Sequence, residues 1–140
     1  MALIRCPRCE KRNRVGPIER GTPRCGACKE PLPWVVDAGD QDFDRETSAS
    51  VPVLVDLWAP WCGPCRMVSP ALERLAARHA KRLKLVKVNV DESPAVAARY
   101  RATSIPTLVL LEGGRERERI VGALPEAQIE ARLAPHLPAA

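Results

Sequence analysis

The sequence predicts an α/β fold, with a central sheet flanked by helices and preceded by a small four-cysteine extension. From Trp34 onward, short apolar runs alternate with helical stretches, an order that is typical of βαβ units. Before Trp34 the chain is rich in Arg, Gly, Pro and Cys and has almost no periodic apolar pattern. A chain of 140 residues is long enough for one core and too short for two ordinary domains.

A proline-rich segment marks the boundary between these two regions. Pro31-Leu32-Pro33-Trp34 interrupts regular structure because proline fixes its own backbone and extends the residue before it. We therefore expect an extension over residues 1–30, a linker over residues 31–34 and the main domain over residues 35–140.

The excess positive charge of the chain lies in the extension. Residues 1–34 hold eight Lys or Arg and three Asp or Glu, whereas the remaining residues hold fourteen of each kind. A basic patch can bind nucleic acid, but four metal-bound thiolates and one divalent cation would together add a charge of about −2. Nucleic-acid binding is therefore disfavoured as the function.

The sequence contains no segment that would enter a membrane. No apolar run approaches the roughly 20 residues of a membrane helix, and residues 1–9 lack the apolar region of a secretory signal. We therefore expect a cytoplasmic protein without membrane contacts. In that reducing compartment, six cysteines in three Cys-x-x-Cys pairs indicate metal ligands and redox groups rather than structural disulfides.

The main domain begins with a buried strand and a kinked helix. Val51–Trp58 is a nearly continuous apolar run, which predicts a central strand covered on both faces, and Asp56 is its one charge. From Cys65 to Ala80, apolar residues recur at helical spacing. Pro70 predicts a kink there because its missing amide interrupts the hydrogen bonds of the helix.

A second strand and a short helix follow. The alternating residues of Leu83–Val90 predict the strand. Ser93 is then expected to be the N-cap of a helix that has Pro94 in its first position and continues to Tyr100.

The last part of the main domain predicts a hairpin and a closing helix. Thr107–Leu111 is an apolar strand, Gly113-Gly114 is a turn, and Glu118–Val121 is the antiparallel partner strand. The charged run from Arg115 to Arg119 indicates that this partner is an exposed edge. Pro125–His136 carries apolar residues four apart and is predicted to be the final helix.

The pair Cys62 and Cys65 stands between the predicted strand and helix, so Cys62 falls near a helix N-terminus. Unpaired amides there favour a thiolate, which makes Cys62 the expected nucleophile. Cys65 is close enough to resolve a mixed disulfide and is expected to be the more buried of the two. Gly63 allows another chain to approach the turn, and Pro64 fits the first helical turn.

A structural metal site is the alternative interpretation of this pair, since Cys-x-x-Cys is also a zinc-ligand unit. Such a site needs two more ligands, and the other four cysteines form a complete set among themselves. His79 and His136 do not have the close spacing of a histidine ligand pair. A redox dithiol is therefore favoured.

The segment from Val55 to Cys65 (VDLWAPWCGPC) resembles the active-site signature of the thioredoxin family. Pro70 matches the helix-kinking proline of that family, Ile105-Pro106-Thr107 its cis-proline loop, and Val121-Gly122-Ala123 its glycine-containing substrate groove. The resemblance covers roughly residues 35–138. It implies a thioredoxin fold, with a central mixed sheet, and the activity of a protein-disulfide reductase.

The resemblance also implies a catalytic role for Asp56. A carboxylate in an apolar strand should have a raised pKa through desolvation, so Asp56 is a plausible acceptor for the proton of Cys65. Lys87, on the next strand, matches the family lysine that lies near this aspartate. The alternative is a structural Asp56–Lys87 ion pair without a part in catalysis.

The remaining site residues are those that the resemblance places around the dithiol. Trp58 is expected to shape the site, and a cis Ile105–Pro106 bond would present backbone atoms to an extended substrate. The Gly-Pro sequence between the cysteines resembles that of the reducing members of the superfamily. Thioredoxins have reduction potentials of about −270 mV, whereas a strongly oxidising relative has about −120 mV. The predicted substrate groove comprises Trp61, Gly63, Pro64, Ile105, Pro106 and Gly122.

The extension carries a second cysteine pattern. Cys6 and Cys9 are followed, after fifteen residues, by Cys25 and Cys28, which is the spacing of a zinc ribbon. We expect one structural Zn²⁺ in a closed tetrahedral shell, with rubredoxin-like iron or a second disulfide relay as alternatives. The whole arrangement resembles the zinc-containing bacterial thioredoxins of the thioredoxin-2 type, and no bound organic cofactor is expected.

The resemblance implies electron transport for cell redox homeostasis, with electrons from NADPH passing through a flavoprotein thioredoxin reductase. Expected clients are disulfide-containing proteins such as ribonucleotide reductase, peroxiredoxins and methionine sulfoxide reductases. The alternative is a zinc-ribbon module that binds protein or nucleic acid on a thioredoxin scaffold. The presence of Cys62, Cys65, Asp56 and Pro106 argues against an inert scaffold.

Overall fold

The computed structural model describes residues 2–18 and 20–139. Met1, Glu19 and Ala140, which fall within the predicted extension and main domain, lie outside the described residues. No helix among the described residues is both long and apolar enough to cross a membrane. The elements are, in chain order, β1 (Ala2–Arg5), β2 (Arg12–Val15), β3 (Trp34–Ala38), α1 (Phe43–Glu46), β4 (Val53–Trp58), α2 (Gly63–Arg78), β5 (Lys84–Asn89), α3 (Pro94–Arg99), β6 (Thr107–Glu112), β7 (Arg115–Val121), α4 (Glu126–Leu133) and a 3-10 helix (Ala134–His136).

The main sheet has its strands in the order β3-β5-β4-β6-β7. Strands β3 and β4 run parallel to β5, whereas β6 is antiparallel to β4 and β7 is antiparallel to β6. Leu54 and Leu85 face the apolar cluster that includes α2 and α4, while Val55 faces the cluster that includes Phe43 of α1 and Val96 of α3. The predicted α/β fold, a mixed sheet flanked by helices, is confirmed.

Strand β4 lies in the middle of this sheet, between β5 and β6. Its residues are buried along almost the whole strand, because alternate side chains enter the two clusters on opposite faces. This confirms the predicted central strand with Asp56 inside it. Because β4 ends at Trp58 and α2 begins at Gly63, the dithiol lies at the carboxyl end of the central strand.

Two elements of the main domain were not predicted from the sequence, namely β3 and α1. Both are short, with five and four residues, and β3 forms one edge of the sheet. The other edge is β7, whose charged side chains are mostly exposed, as predicted. Helix α2 begins at Gly63, two residues before its predicted start, and β7 begins at Arg115 because the turn consists only of Gly113-Gly114.

The N-terminus of α3 differs from the expectation in its hydrogen bonds. Ser93 occupies the N-cap position, but its side chain makes no capping hydrogen bond within the described residues. The carboxylate of Asp40 instead accepts hydrogen bonds from the amides of Ala95 and Val96, at 3.0 and 2.9 Å. The free amides of this helix are therefore satisfied by a loop distant in sequence, and not by the local residue that the pattern indicated.

The extension shares a core with the main domain. Strands β1 and β2 form an antiparallel hairpin whose inner face carries Ile4 and Val15, and β1 packs beside β3. These two side chains belong to the same apolar cluster as Leu32 and Trp34. The hairpin therefore buries its apolar side chains in the cluster that it shares with the main domain.

A buried ion pair adjoins this cluster. The Lys84 side chain has an exposed fraction of 0%, and its Nζ donates to Glu46 Oε1 at 2.9 Å and to the Glu46 carbonyl at 2.5 Å. The ammonium also lies 4.4 Å from the centre of the Trp34 ring. Buried charges of this kind are tolerated only when they are paired and hydrogen-bonded.

Candidate active site and metal centre

Cys62 and Cys65 form a disulfide at the start of α2, with their Cα atoms 5.3 Å apart. Cys62 is the N-cap residue of this helix, and its Sγ accepts a hydrogen bond from the Cys65 amide at 3.2 Å. Exposed fractions of 4% and 3% do not show the expected greater burial of Cys65 in the disulfide form. In this form both cysteines belong to a small buried cluster with Ala59, against which Ile105 packs.

The turn that carries the dithiol has an open outer surface. A Cβ added at Gly63 would meet no heavy atom within 4 Å in the part of the chain that the structure describes. Pro64 lies in the first turn of α2. The side chain of Trp61 is 69% exposed, and its Nε1 donates to Asp91 Oδ2 at 3.0 Å, which fixes the ring at the surface. Another polypeptide can therefore reach this turn.

Two loops meet beside the disulfide. The Ile105–Pro106 peptide bond is cis, as the resemblance implies, and Ile105 packs against the disulfide cluster. The Gly122 amide donates to the Pro106 carbonyl at 2.9 Å, and Gly122 has a φ of +97°, which favours glycine. The structure thus joins the predicted groove residues Pro106 and Gly122. Met67, highly exposed on α2, was not singled out in the sequence.

Asp56 is buried in β4 and is 2% exposed. Burial raises the pKa of its carboxyl group to about 7, the neighbouring Lys87 lowers this pKa, and Glu73 raises it. This direction confirms the sequence prediction. Within the described residues, Oδ1 of Asp56 has no hydrogen-bond partner. A carboxylate in this position is a strong proton acceptor near neutral pH.

A cavity of about 290 Å³ connects this carboxylate with the dithiol. Asp56 lines the cavity from β4, Cys65 from the start of α2, and Lys87 from β5. The three residues belong to different elements, and the fold brings them to one space. The second cysteine and Asp56 thus face one shared space.

Lys87 is the register partner of Asp56, but its ammonium makes its close contacts with other side chains. Its Nζ donates to Ser69 Oγ at 2.8 Å and lies 3.8 Å from Glu73 Oε2. No Lys, Arg or His nitrogen of the described chain lies within 4.0 Å of the Asp56 carboxylate. The direct Asp56–Lys87 ion pair that the sequence left open is therefore not formed.

The four cysteines of the extension converge on one point. Their sulfurs all lie within 4.8 Å of one another. Cys6 Sγ and Cys28 Sγ are 3.6 Å apart, and Cys9 Sγ and Cys25 Sγ are 3.5 Å apart. A tetrahedral zinc ion with Zn–S bonds of about 2.3 Å requires sulfur separations of about 3.8 Å. The donor set and its size therefore fit a tetrahedral metal ion.

The two Cys-x-x-Cys turns have the same backbone geometry. Four residues after the first cysteine of each pair, the amides of Glu10 and Lys29 donate to the carbonyls of Cys6 and Cys25, at 2.9 and 3.0 Å. Both residues have a positive φ, 66° at Glu10 and 68° at Lys29. Each pair is thus a matching knuckle that aims its sulfurs toward the shared centre.

The environment of the sulfurs favours thiolates in part of the cluster. The Cys28 amide, with further hydrogen bonds, lowers the pKa of Cys25 to about 6 against the effect of burial. The hydrogen bond from the Glu30 amide lowers the pKa of Cys28, but burial and the three other thiols together outweigh it and raise this pKa to about 12. Four thiolates together need a cation, which a divalent metal supplies.

Asn13 links the two knuckles and was not identified from the sequence. Its Oδ1 accepts from the Gly26 amide at 2.9 Å, and its Nδ2 donates to the Lys11 carbonyl at 3.0 Å. The only sequence signal is position, because Asn13 is the polar residue on the buried face of β2, next to Val15 in the alternation.

Comparisons with known proteins match the main domain. The family model described as Thioredoxin matches residues 34–135. "Thioredoxin 1" of Nostoc sp. is 48% identical over 99 residues, which cover 70% of this chain and 92% of that protein. "Thioredoxin" of Alicyclobacillus acidocaldarius is 46% identical over 95 residues, with 68% and 90% covered. A mutant thioredoxin from Halobacterium salinarum has a similar structure, with a TM-score of 0.70, 32% identity, and 77% and 95% covered.

Proposed function

Because this chain belongs to the thioredoxin family and is a protein-disulfide reductase, we propose that Cys62 and Cys65 reduce the disulfides of client proteins by dithiol exchange. The observation that carries the proposal is the position of Cys62 at the N-cap of α2. Its sulfur accepts a hydrogen bond from the Cys65 amide and lies at the positive end of the helix dipole, and both interactions stabilise a thiolate.

In the first step, the Cys62 thiolate attacks one sulfur of a client disulfide. A bond forms between Cys62 Sγ and that sulfur, the client S–S bond breaks, and the other client sulfur leaves as a thiolate that takes a proton from solvent. The product is a mixed disulfide between Cys62 and the client.

In the second step, Cys65 resolves the mixed disulfide. Its thiol gives a proton to the Asp56 carboxylate across the shared cavity, and the resulting thiolate attacks Cys62 Sγ. The remaining client sulfur leaves with its bonding electron pair and is protonated. Two electrons have then passed to the client, and the chain holds the Cys62–Cys65 disulfide.

We assign the predicted groove residues to binding of an extended client segment. The hydrogen bond between Gly122 and Pro106 supports this role, because it fixes the two loops beside the disulfide. The open space over Gly63 and the exposed ring of Trp61 provide room and apolar surface for the client. Pro64 and Ile105 complete the surface next to the dithiol.

The proposed electron source is NADPH, through a thioredoxin reductase that reduces the Cys62–Cys65 disulfide. Clients would be cytoplasmic disulfide-containing proteins such as ribonucleotide reductase, peroxiredoxins and methionine sulfoxide reductases. The support for this assignment is the family membership of residues 34–135 together with a redox dithiol in a cysteine-rich chain. A reducing compartment keeps such cysteines available for exchange and metal binding.

For the extension we propose one structural Zn²⁺ bound by Cys6, Cys9, Cys25 and Cys28. The spacing and the sulfur separations support zinc, which would supply a closed tetrahedral shell and folding free energy. No step of disulfide exchange requires this ion. We likewise propose the division into a zinc-binding extension over residues 1–30, a connection over 31–34 and a thioredoxin domain over 35–140.

The experiment that tests the proposal measures NADPH oxidation with thioredoxin reductase and insulin as the disulfide substrate. The wild-type chain should sustain turnover, and Cys62→Ser should abolish it because the attacking sulfur is absent. The variant is first shown to melt like the reduced wild type and to hold the same metal content. A thioredoxin that the same reductase is known to reduce serves as the control for a competent assay.

Each outcome of this assay has a definite meaning. Turnover that disappears with Cys62→Ser establishes a reductase that works through Cys62. A wild-type chain that shows no turnover with a competent reductase contradicts recycling by that enzyme. Direct reduction of insulin by the chemically reduced chain then separates failure of recycling from failure of the disulfide-exchange step.

A further inference from the structure

Three polar side chains form a chain of contacts beside Asp56. Lys87 Nζ donates to Ser69 Oγ at 2.8 Å, and the Ser69 hydroxyl donates to Glu73 Oε2 at 3.3 Å. The same carboxylate oxygen lies 3.8 Å from Lys87 Nζ. Ser69 and Glu73 are four residues apart on α2, so they occupy one face of the helix.

The sheet places Lys87 directly beside Asp56. Lys87 and Asp56 are register partners on adjacent strands, which lie about 4.8 Å apart, and both residues line the same cavity. Even so, the ammonium lies more than 4.0 Å from that carboxylate, while Oδ1 of Asp56 has no hydrogen-bond partner in the described chain. The lysine is directed toward α2.

We infer that Ser69 and Glu73 are positioning residues that hold the Lys87 ammonium away from Asp56 and so keep this carboxylate able to accept the proton of Cys65. The inference rests on the proposed role of Asp56 in the second exchange step. An ammonium in contact with the carboxylate would stabilise its ionised form and weaken it as a proton acceptor.

The other charged groups near Lys87 are placed on several elements. Asp37 of β3 is the register partner of Lys87 on its other side, and Arg66 of α2 lines the cavity of Asp56. Arg5 of the extension and Glu46 of α1 line a neighbouring cleft with Lys87 and Glu73. Among the described residues, none of these four groups makes a hydrogen bond or an ion pair with Lys87. The raised pKa of Asp56 agrees with the inferred positioning, because burial prevails over the attraction of Lys87.

Ser69→Ala is the sharpest test because it changes no charge. In the oxidised protein with its metal bound, a carbon NMR titration of the Asp56 carboxyl group should show a pKa lower by about one unit or more, since an opposite charge at contact distance has that effect. Ser69→Thr, which keeps a hydroxyl group, should leave this pKa close to that of the wild type. Thermal melting verifies that each variant is folded.

The Lys87→Met background shows whether the effect passes through the lysine. Lys87→Met alone should raise the pKa of Asp56, and adding Ser69→Ala should then cause no further change. Glu73→Gln should lower the pKa in the wild-type chain, and part of this effect should persist without Lys87 because the Glu73 charge acts directly. An unchanged pKa in Ser69→Ala, or a shift that persists in the Lys87→Met background, overturns the inference.

Turnover measurements distinguish this inference from the proposed catalytic role. If Asp56 accepts the proton of Cys65, the acidic limb of the kcat/KM profile for insulin should move to lower pH in Ser69→Ala, in the same direction as the titration. A moved titration with an unmoved kinetic limb supports the positioning by Ser69 and contradicts the role of Asp56. An unmoved titration contradicts the positioning and leaves that role to be judged by its own variants.

Discussion

Replacement of the buried carboxylate Asp56 by asparagine should stabilise the oxidised protein increasingly as pH rises. The folded state raises the pKa of Asp56 from 3.8 to about 7, mainly through burial. A raised acid pKa means that the folded protein holds a proton which the unfolded chain has already lost. The contribution of Asp56 is thus most favourable below about pH 4 and is lost as pH rises to about 7. Asp56→Asn removes this loss.

The size of the effect follows from the same two values. A pKa that moves from 3.8 to about 7 corresponds to about 4 kcal/mol of extra free energy for the ionised carboxylate in the folded state. The difference in unfolding free energy between Asp56→Asn and wild type should therefore grow by about 3 kcal/mol between about pH 5 and about pH 8. Loss of packing or hydrogen bonding at the asparagine adds an offset that does not depend on pH.

Urea unfolding of both oxidised proteins across this pH range measures the difference directly. Effects of pH on metal binding enter both proteins equally and cancel in the comparison. Asp37→Asn is the matched control, because Asp37 lies exposed on β3 beside Lys87 and its replacement removes no buried charge. A difference between Asp56→Asn and wild type that stays constant, or shrinks as pH rises, would refute the assignment of a desolvated carboxylate to Asp56.

Two further predictions concern the extension and the buried ion pair. Metal removal by a chelator, or the substitution Cys25→Ser, should lower the melting temperature and change the fluorescence emission of the buried Trp34. The reason is that the hairpin packs on the cluster that contains this ring. Calorimetry and tryptophan fluorescence measure these two effects, and a zinc assay should find one ion per wild-type chain. Lys84→Met should cost about 3–5 kcal/mol in urea unfolding because it leaves the buried Glu46 charge without its partner. The double variant Lys84→Met with Glu46→Leu should recover much of that loss, and a persistent loss would contradict this account.

The parts of the fold that were predicted are those with strong local patterns. The apolar run of β4 and the helical spacing of α2 belong to long, continuous segments, so their periodicity identified them. Strand β3 and helix α1 have only five and four residues. The strand is stabilised by pairing with β5, and the helix by burial of its Phe43 in the apolar cluster. Such short elements carry too little periodicity for a prediction.

The active site shows a similar division. Cys62 and Cys65 were found because their spacing and their place before a helix indicate their chemistry, and the role of Asp56 was implied by the resemblance to the thioredoxin family. The course of the Lys87 side chain was not predictable, because it depends on Ser69, eighteen residues earlier on another element. The capping of α3 by Asp40 has the same cause, since fifty-five residues separate Asp40 from Ala95.

In the metal centre, the ligands were predicted but their support was not. The spacing of the two Cys-x-x-Cys pairs is sufficient to identify them as metal ligands. Asn13, which joins both knuckles, is a common type of residue in a short strand. Its role is visible only in the folded chain, where the Gly26 amide donates to its Oδ1.

The hairpin and the main domain share one core, so the hydrophobic core extends beyond the segment that is similar in sequence to the family. The family match begins at residue 34, yet Trp34 is covered in part by residues that precede it. A chain cut at that limit would expose to water part of the apolar cluster that contains Trp34 and Val36. In this protein the extension therefore also completes the apolar core of the main domain.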